Sequence, residues 1–300
     1  MLNDKLRNYL HLHLIVFIWG FTAVLGALIT IDAIPLVWYR MLLATFFVWT
    51  YIAYKKFPLR VPKKALLTFI VAGIVIALHW ITFFKAIKVS NVSVTLATIS
   101  TGAFFTAILE PIIYKRKMIW YEIVFGLIVI GGLYIIFNVE TQYVLGIGLA
   151  LVSALLSATF SLINGKLAKH YKPSIISFYE LGSGVAFITL YLLFTGSFSA
   201  EFFILSASDW LYLLLLASVC TAYAFIGSVK VMKLISPYTV MLTINMEPIY
   251  GIILAFIILG SSEKMSEGFY IGALIILATV LANGILKNSL KRKVPIEQAK

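Results

Sequence analysis

The chain has 300 residues, of which 62% are apolar and only 12% are charged, and its formal net charge is +12. Soluble domains average about a quarter charged residues, and a soluble core could not absorb this much apolar side chain without large exposed patches. The composition therefore excludes an ordinary soluble protein and makes the lipid bilayer the expected partner. The positive charge does not indicate nucleic acid, because the lysines and arginines cluster between apolar runs.

Ten apolar stretches are long enough to cross a bilayer, since a membrane helix needs about 20 mostly apolar residues. In chain order they cover residues 10–29, 35–54, 66–86, 92–114, 120–137, 144–168, 173–194, 210–229, 237–259 and 269–286. We interpret the first stretch as an uncleaved helix and not as a signal peptide, because no small-residue cleavage site follows it.

The loops between these stretches alternate in charge. Basic clusters lie in the N-terminal segment and within residues 55–64, 115–117, 169–172, 230–233 and 287–293, whereas the intervening loops are acidic or neutral. Lys88 and Lys264 are the exceptions. Because cytoplasmic loops carry an excess of lysine and arginine, this alternation predicts that both termini lie in the cytoplasm, in a bacterial-type inner membrane.

Short matches recur about 140 residues apart and indicate an internal repeat. Pro35 and Pro173 both begin predicted helices, and Gly126 and Gly272 lie in helices 5 and 10. The pattern predicts an all-α integral membrane protein with two five-helix repeats, residues 10–138 and 144–287, and a basic tail, residues 288–300. Five is odd, so the second repeat must be inverted. Inverted repeats are typical of transporters that alternate their access around a site near the bilayer midplane.

The ninth predicted helix contains the strongest candidate for a functional group. Glu247 lies about 15 Å deep at 1.5 Å per residue, and Pro248 follows it and removes a backbone donor. An ionisable group at that depth is costly and marks a functional site by default. A carboxylate beside a broken helix can bind a cation, a proton or an amine, and Asn245 adds a neutral donor and acceptor. The alternative is a protonated structural glutamate.

Helices 2 and 7 carry charged residues at matching positions of the two repeats, in the pairs Tyr39-Arg40 and Tyr179-Glu180. Inversion places Arg40 near one surface and Glu180 near the other, so roughly 12 Å of a 30 Å core separates them and a direct ion pair is not expected. Arg40 can receive an anionic substrate group through its planar fork. We favour the alternative that its side chain snorkels to the headgroups.

Helix 3 contributes His79 and Trp80 as further candidates. A lone membrane histidine is more often a hydrogen-bonded packing residue than a proton relay, and we favour the first interpretation. Trp80 supplies an aromatic surface that suits an apolar or cationic solute, or an interface anchor. In helix 6, Ser153, Ser157 and Ser161 recur at four-residue steps, which favours close helix packing over ligand binding.

The duplicated five-helix unit, Trp19-Gly20 in helix 1, lysines after helices 3 and 8, and Asn245-Met246-Glu247-Pro248 in helix 9 resemble the drug/metabolite transporter superfamily, in its ten-helix EamA-type branch. The resemblance covers almost the whole chain. It implies transport of metabolites such as amino acids, with Trp19 and Thr22 lining a central cavity. The chain departs from the family pattern after helix 9, where two serines separate Gly260 from an acidic residue.

These features together predict a secondary transporter of small organic metabolites, amino-acid-like or amine solutes, with export favoured and a proton as the candidate coupling ion. The alternative is a channel or a non-transporting scaffold or receptor. An enzyme is not expected, because the sequence contains neither H-E-x-x-H nor G-x-S-x-G and its loop aspartates do not pair in the membrane. No cofactor or metal is expected from a single cysteine, Cys220. Monomer and homodimer both remain open.

Overall fold

The computed structural model describes residues 4–115, 117, 119–231, 243–244 and 246–292, and within these ranges the chain is helical and forms no strand. Hydrocarbon offers no partner to backbone N–H and C=O groups, so a long apolar segment satisfies them internally by forming a helix. Nine candidate spans in the described ranges are long and apolar enough to cross a membrane, and those over residues 92–114 and 207–228 each contain more than one helical segment. Seven of the ten predicted stretches correspond to single helices, most of which the structure extends.

The first half contains six helical segments. They are α1 (Asp4–Leu28), α2 (Ala33–Tyr54), α3 (Lys63–Val89), α4 (Val92–Ile99), α5 (Gly102–Tyr114) and α6 (Trp120–Val139). The predicted span over residues 92–114 is confirmed with the same bounds, but it is divided into two helices. The break lies at Ser100 and Thr101, whose hydroxyls donate to the carbonyl oxygens of Leu96 and Thr98 and so compete with the regular helical pattern.

The second half also departs from uninterrupted helices. Its segments are α7 (Val144–Leu167), α8 (Pro173–Phe194), α9 (Ala207–Ala217), α10 (Ala224–Val231), α11 (Glu247–Leu259) and α12 (Glu267–Arg292). A π-helical turn, Ser218–Tyr223, joins α9 to α10 inside the predicted eighth helix. Of the predicted ninth helix, residues 237–242 and 245 lie outside the described residues, and α11 begins at Glu247.

Helices of the two halves interleave. Helix α3 packs against α7 and α8, α1 packs along α11, and α6 packs along α12. Small residues permit the closest approaches: a Cβ on Gly272 would lie 2.8 Å from the carbonyl oxygen of Gly132, and a Cβ on Gly73 in α3 would collide with the carbonyl oxygen of Glu180 in α8. Without a hydrophobic driving force between helices in lipid, such close backbone packing stabilises the bundle.

One end of the bundle, which we call the capped end, holds the connections after α1, α3, α6, α8 and α11. Three buried carboxylates join these connections. Asp209 accepts hydrogen bonds from the backbone and hydroxyl of Thr30 (2.7 and 2.6 Å), and Glu140 accepts from the backbone and hydroxyl of Ser266 (3.2 and 2.7 Å). Glu263 accepts from two backbone amides at the start of α4 at 3.1 and 2.8 Å. The opposite end, where α1 begins and α12 ends, is the terminal end.

Lys88, which breaks the predicted charge alternation, belongs to the same capped end. Its ammonium donates to the carbonyl oxygen of Ile29 at 2.8 Å and interacts electrostatically with Asp32 and Asp209. These contacts give Lys88 a local structural role at the capped end.

Candidate functional site

A cavity lies between the two halves of the chain, with an empty volume of about 1110 Å³ that includes space open to solvent. Seven of the eleven candidate site residues from the sequence line it. They are Trp19, Thr22, Arg40, His79, Trp80, Glu247 and Pro248. These residues come from α1, α2, α3 and α11, so the fold brings together groups that are more than 200 residues apart in the chain.

Four other candidates do not line this cavity or cannot be placed. Tyr39 donates to the carbonyl oxygen of Phe202 at 3.1 Å, and Tyr179 donates to the carbonyl oxygen of Leu59, so both hydroxyls anchor connections between helices. Glu180 is fully buried behind the cavity wall and accepts a hydrogen bond from a neighbouring side chain. Asn245 lies outside the described residues.

Arg40 points into the protein and not toward the headgroups, so the snorkelling interpretation is wrong. Its side chain is only 2% exposed, and its guanidinium carbon lies 3.8 Å from the centroid of the Trp80 ring. An indole face attracts a cation and is the best aromatic partner for one. Nε donates to the hydroxyl of Thr221 at 2.7 Å, whereas Nη1 is buried with no hydrogen-bond partner in the described part of the chain. A planar fork with an unused donor suits an anionic group.

The π-helical turn supplies the residue that orients Arg40. The hydroxyl of Thr221 donates to the carbonyl oxygen of Leu216, five residues earlier, at 2.7 Å. Its oxygen is therefore free to accept the Nε–H of Arg40. Single π-turns within helices are frequently found at functional sites. Here the turn places Cys220 and Thr221 side by side on the cavity wall.

Glu247 occupies the first turn of α11, where the positive end of the helix dipole favours a carboxylate. It lines the same cavity as Arg40 and interacts with it electrostatically, although no ion pair within 4 Å joins them among the described residues. Gly20 permits the close approach of α1 to α11, because a Cβ on Gly20 would lie 2.9 Å from the backbone nitrogen of Gly251. The neighbouring Trp19 is thereby held on the cavity wall beside Glu247.

His79 is a hydrogen-bonded residue, as the favoured interpretation holds, and it also lines the cavity. Its Nδ1 lies 3.0 Å from the carbonyl oxygen of Ser153, and the Ser153 hydroxyl donates back to the carbonyl oxygen of His79 at 2.9 Å. A carbonyl can only accept, so we assign the ring proton to Nδ1. Nε2 of the neutral ring then remains an acceptor without a partner among the described residues.

Sequence comparison decides the family. The model of the EamA-like transporter family matches residues 7–138 and residues 144–284, which together make up nine-tenths of the chain. The chain belongs to the EamA-like transporter family. The resemblance noted from Trp19-Gly20 and the Glu247-Pro248 pair is thus confirmed, and so is a chain made of two repeats. The family assignment and the spanning helices identify an integral membrane protein that transports small solutes, in a family of transporters and not of enzymes.

A solved structure described as "Crystal structure of protein" shares the fold of this EamA-like transporter. It superposes with a TM-score of 0.67, covering 95% of this chain and 99% of that chain, at 13% sequence identity. At that identity the similarity concerns the fold alone. No curated protein sequence matches the chain.

Several lining residues of this EamA-like transporter were missed at the sequence level. They include Ile99, Ser100 and Gly102 at the break between α4 and α5, Ser157, Ser161 and Asn164 on α7, and Cys220, Thr221, Phe225 and Ser228 around the π-turn. Ser157 and Ser161 were assigned to helix packing, and the structure places both on the cavity wall. The one usable signal was Asn164, a polar amide three residues before the end of a membrane helix.

The cavity can offer one fixed cation, one carboxylate and an aromatic wall to a solute. The carboxylates, imidazoles and thiol of the described residues do not form a group of three or more that could hold a metal ion. The guanidinium, carboxylate and aromatic rings that line the cavity suit recognition of a charged organic molecule by hydrogen bonds and charge.

Proposed function

We propose that this chain is a secondary active transporter of small organic metabolites, namely amino-acid-like or amine solutes, and that it works by alternating access. Export is the proposed direction, and the proton is the proposed coupling ion. The observation that carries this proposal is that Arg40 and Glu247 line one cavity built from both halves of the chain. A zwitterionic solute carries one group for each of them.

Each end of such a solute has a matching partner in the cavity. The guanidinium of Arg40 suits a carboxylate, since its fork can form two parallel hydrogen bonds. The carboxylate of Glu247, which lines the same cavity, suits an ammonium group. Trp19, Trp80 and Phe83 supply apolar surface in that cavity for the side chain of the solute. A solute that has only an amine would use Glu247 and the aromatic faces.

Ten spanning helices in two inverted five-helix repeats are part of the proposal. Helices α5 and α11 both contain 13 residues, and both their first and their last residues are 145 positions apart. The pairing of helices supports the same correspondence. In the first half, α3 packs on α7 and α8 of the second half. The counterpart of α3 in the second half is the segment around the π-turn, and this segment packs on α1 and α2. Since α1 and α2 correspond to α7 and α8, the two halves make matching contacts. An odd number of spans in each repeat then requires inversion.

The two ends of the bundle differ in a way that supports a conformation closed at the capped end and open toward the terminal end. Three buried carboxylates tie the connections together at the capped end. The cavity lining comes closest to the terminal end, at Asn164 and Ser228, each three residues before the last residue of its helix. On the positive-inside argument, the terminal end is cytoplasmic, so this conformation admits solute from the cytoplasm.

Transport is tested by counterflow in proteoliposomes. A thermal-shift screen against amino acids and amines first selects the solute that stabilises the purified protein, because specific ligands stabilise the folded state. Saturable exchange of that radiolabelled solute is expected. Flux that rises linearly with concentration would indicate a channel, and absence of flux would indicate a scaffold or receptor; either result contradicts the proposal. Faster efflux of preloaded solute from cells that contain the protein tests the direction.

The topology is tested by labelling with a membrane-impermeant thiol reagent from outside the cell. Cys220 is 1% exposed and is not expected to react. Glu201→Cys, at the capped end, should be labelled in intact cells, whereas Arg60→Cys, at the terminal end, should be labelled only after permeabilisation. The reverse pattern would contradict cytoplasmic termini.

A further inference from the structure

Glu180 of α8 and Asn164 of α7 form a buried pair behind the cavity wall. Glu180 is 0% exposed and Asn164 is 2% exposed. The amide Nδ2 of Asn164 donates to Oε2 of Glu180 at 3.1 Å. The pair lies beside the substrate-binding groups but is distinct from them, because Asn164 lines the cavity whereas Glu180 does not.

Each side chain of the pair has a second oxygen that is buried and has no hydrogen-bond partner in the described part of the chain. These oxygens are Oε1 of Glu180 and Oδ1 of Asn164. Both can only accept while the carboxyl group is ionised. A buried carboxylate that accepts one hydrogen bond and faces no cation is a costly arrangement, and an unpaired buried acceptor adds to that cost.

One proton on Oε1 removes the charge of the carboxylate and turns this oxygen into a donor. The carboxylic acid of Glu180 then has an O–H that can donate. The amide oxygen Oδ1 of Asn164 lacks a donor, and it belongs to the same amide that already donates to this carboxyl group. An amide and a carboxylic acid are complementary, since N–H donates to C=O and O–H donates to the amide oxygen. A sodium ion fits less well, because it needs several oxygen ligands and the described structure offers two here.

The ionisable side chains on the helices around Glu180 are either engaged elsewhere or exposed. Arg40 on α2 is bonded to the π-turn, His79 on α3 is bonded to α7, and Lys166 on α7 donates to a backbone carbonyl of α5. Lys230 on α10 is exposed. None of these groups forms a hydrogen bond or an ion pair with Glu180 among the described residues, so a proton is the charge that can compensate the carboxylate.

We propose that Glu180 carries the coupling proton of the transport cycle and that Asn164 is its positioning partner, at a site separate from the substrate site of Arg40 and Glu247. This inference rests on the proposed transport function. A proton from cavity water forms the O–H bond at Oε1 and neutralises the carboxylate. When the cavity opens to the other side, that bond breaks and the proton leaves to water there.

The position of Asn164 makes it the gate for this exchange. It separates the carboxyl group from the cavity, so water reaches Oε1 only when the amide moves. The backbone of Glu180 cannot move with it easily, because α8 packs directly on Gly73 of α3 at this residue. A change in protonation is therefore transmitted through the α7 side of the pair, which also lines the substrate cavity.

The proton site is first tested without substrate, by infrared difference spectroscopy of the purified protein between acidic and alkaline buffer. The carbonyl stretch of a protonated carboxylic acid should appear in wild type and be lost in Glu180→Gln. It should persist in the control Glu122→Gln, which removes another buried membrane carboxyl group, on α6. A spectrum of Glu180→Gln identical to that of wild type overturns the proposal.

Asn164→Leu keeps the carboxyl group and gives a second, independent readout if Glu180→Gln fails to fold. The band should move to higher frequency, because the acid carbonyl loses its hydrogen bond from the amide. An unmoved band shows that Asn164 does not position the proton site and overturns the proposal.

Transport assays then separate this inference from the proposed function. With the solute selected by thermal shift, Glu180→Gln should retain counterflow and lose accumulation driven by a pH gradient, together with solute-induced proton flux. Accumulation by Glu180→Gln at the level of Glu122→Gln overturns the inference, as does accumulation by wild type driven by sodium alone at constant pH. Absence of counterflow in wild type instead refutes the transport function, while the infrared result still judges the proton site.

Discussion

Replacing Arg40 with lysine keeps the positive charge in the cavity but removes the planar fork that the proposed carboxylate site requires. In the structure, Nε donates to the Thr221 hydroxyl at 2.7 Å and the centroid of the Trp80 ring lies 3.8 Å from the guanidinium carbon. Nη1 has no hydrogen-bond partner among the described residues. A lysine ammonium has three donors, but all of them leave one nitrogen atom, so it cannot form two parallel hydrogen bonds to a carboxylate as the planar guanidinium can. We therefore expect weaker binding of solutes with a carboxylate.

The magnitude follows from the hydrogen bonds lost. A hydrogen bond to a charged group contributes about 1.5–3 kcal/mol, which corresponds to a loss of affinity of roughly 10- to 150-fold for one such bond. A weakened cation–π contact with Trp80 adds up to about 2 kcal/mol to the cost of the substitution, some of it in protein stability.

Ligand-induced thermal shift and inhibition of counterflow measure this effect with matched ligands. An amino acid that binds wild type should bind Arg40→Lys more weakly by the stated factor, whereas its decarboxylated amine should bind both proteins alike. Arg60→Lys, the same substitution at an exposed position, is the control. Equal losses for the amino acid and the amine, or no loss for either, would refute the assignment of Arg40 to a carboxylate.

Three further substitutions test other parts of the structure. Glu247→Gln removes the charge proposed to bind the solute amine, and the protein should still fold. Driven transport should be lost, and the affinity for amines should fall roughly 10- to 150-fold in thermal-shift titrations. Transport at the wild-type level would contradict this role of Glu247. Gly73→Ala forces apart the backbones of α3 and α8, so it should lower the free energy of unfolding by about 1–3 kcal/mol in thermal unfolding. The control Gly131→Ala, whose added Cβ meets no atom within 4 Å, should not lower it. Equal stabilities of the two variants would exclude a tight contact at Gly73. Glu263→Ala leaves two buried amides of α4 unpaired and should cost about 1–3 kcal/mol by the same assay, compared with a negligible cost for the exposed Glu201→Ala.

The membrane helices were largely predictable because each consists of about 20 apolar residues bounded by polar loops. The bounds of α8, residues 173–194, agree with the prediction, since Pro173 begins the helix and Thr195 follows its last residue. Such a signal depends on the chain alone, because the bilayer requires the same length and composition of every span.

The interruptions of these helices were not predictable. Ser100 and Thr101 end α4, but similar hydroxyl residues such as Thr159 lie inside continuous helices and bond to the preceding turn. The π-turn at Ser218–Tyr223 likewise has no proline or glycine to mark it. These local irregularities are settled by contacts with other helices, such as the hydrogen bond from Arg40 to Thr221.

By itself the sequence determined the class of protein, the loop charges, the repeat and the presence of costly ionisable groups at Arg40, Glu180 and Glu247. Only the tertiary structure decided which of them share a cavity. Arg40 turned out to face inward against Trp80, and Glu180 turned out to lie behind the wall with Asn164. The physical reason is that lipid-facing and core-facing side chains of a membrane helix are both apolar, so hydrophobic periodicity does not reveal which face turns toward the protein interior.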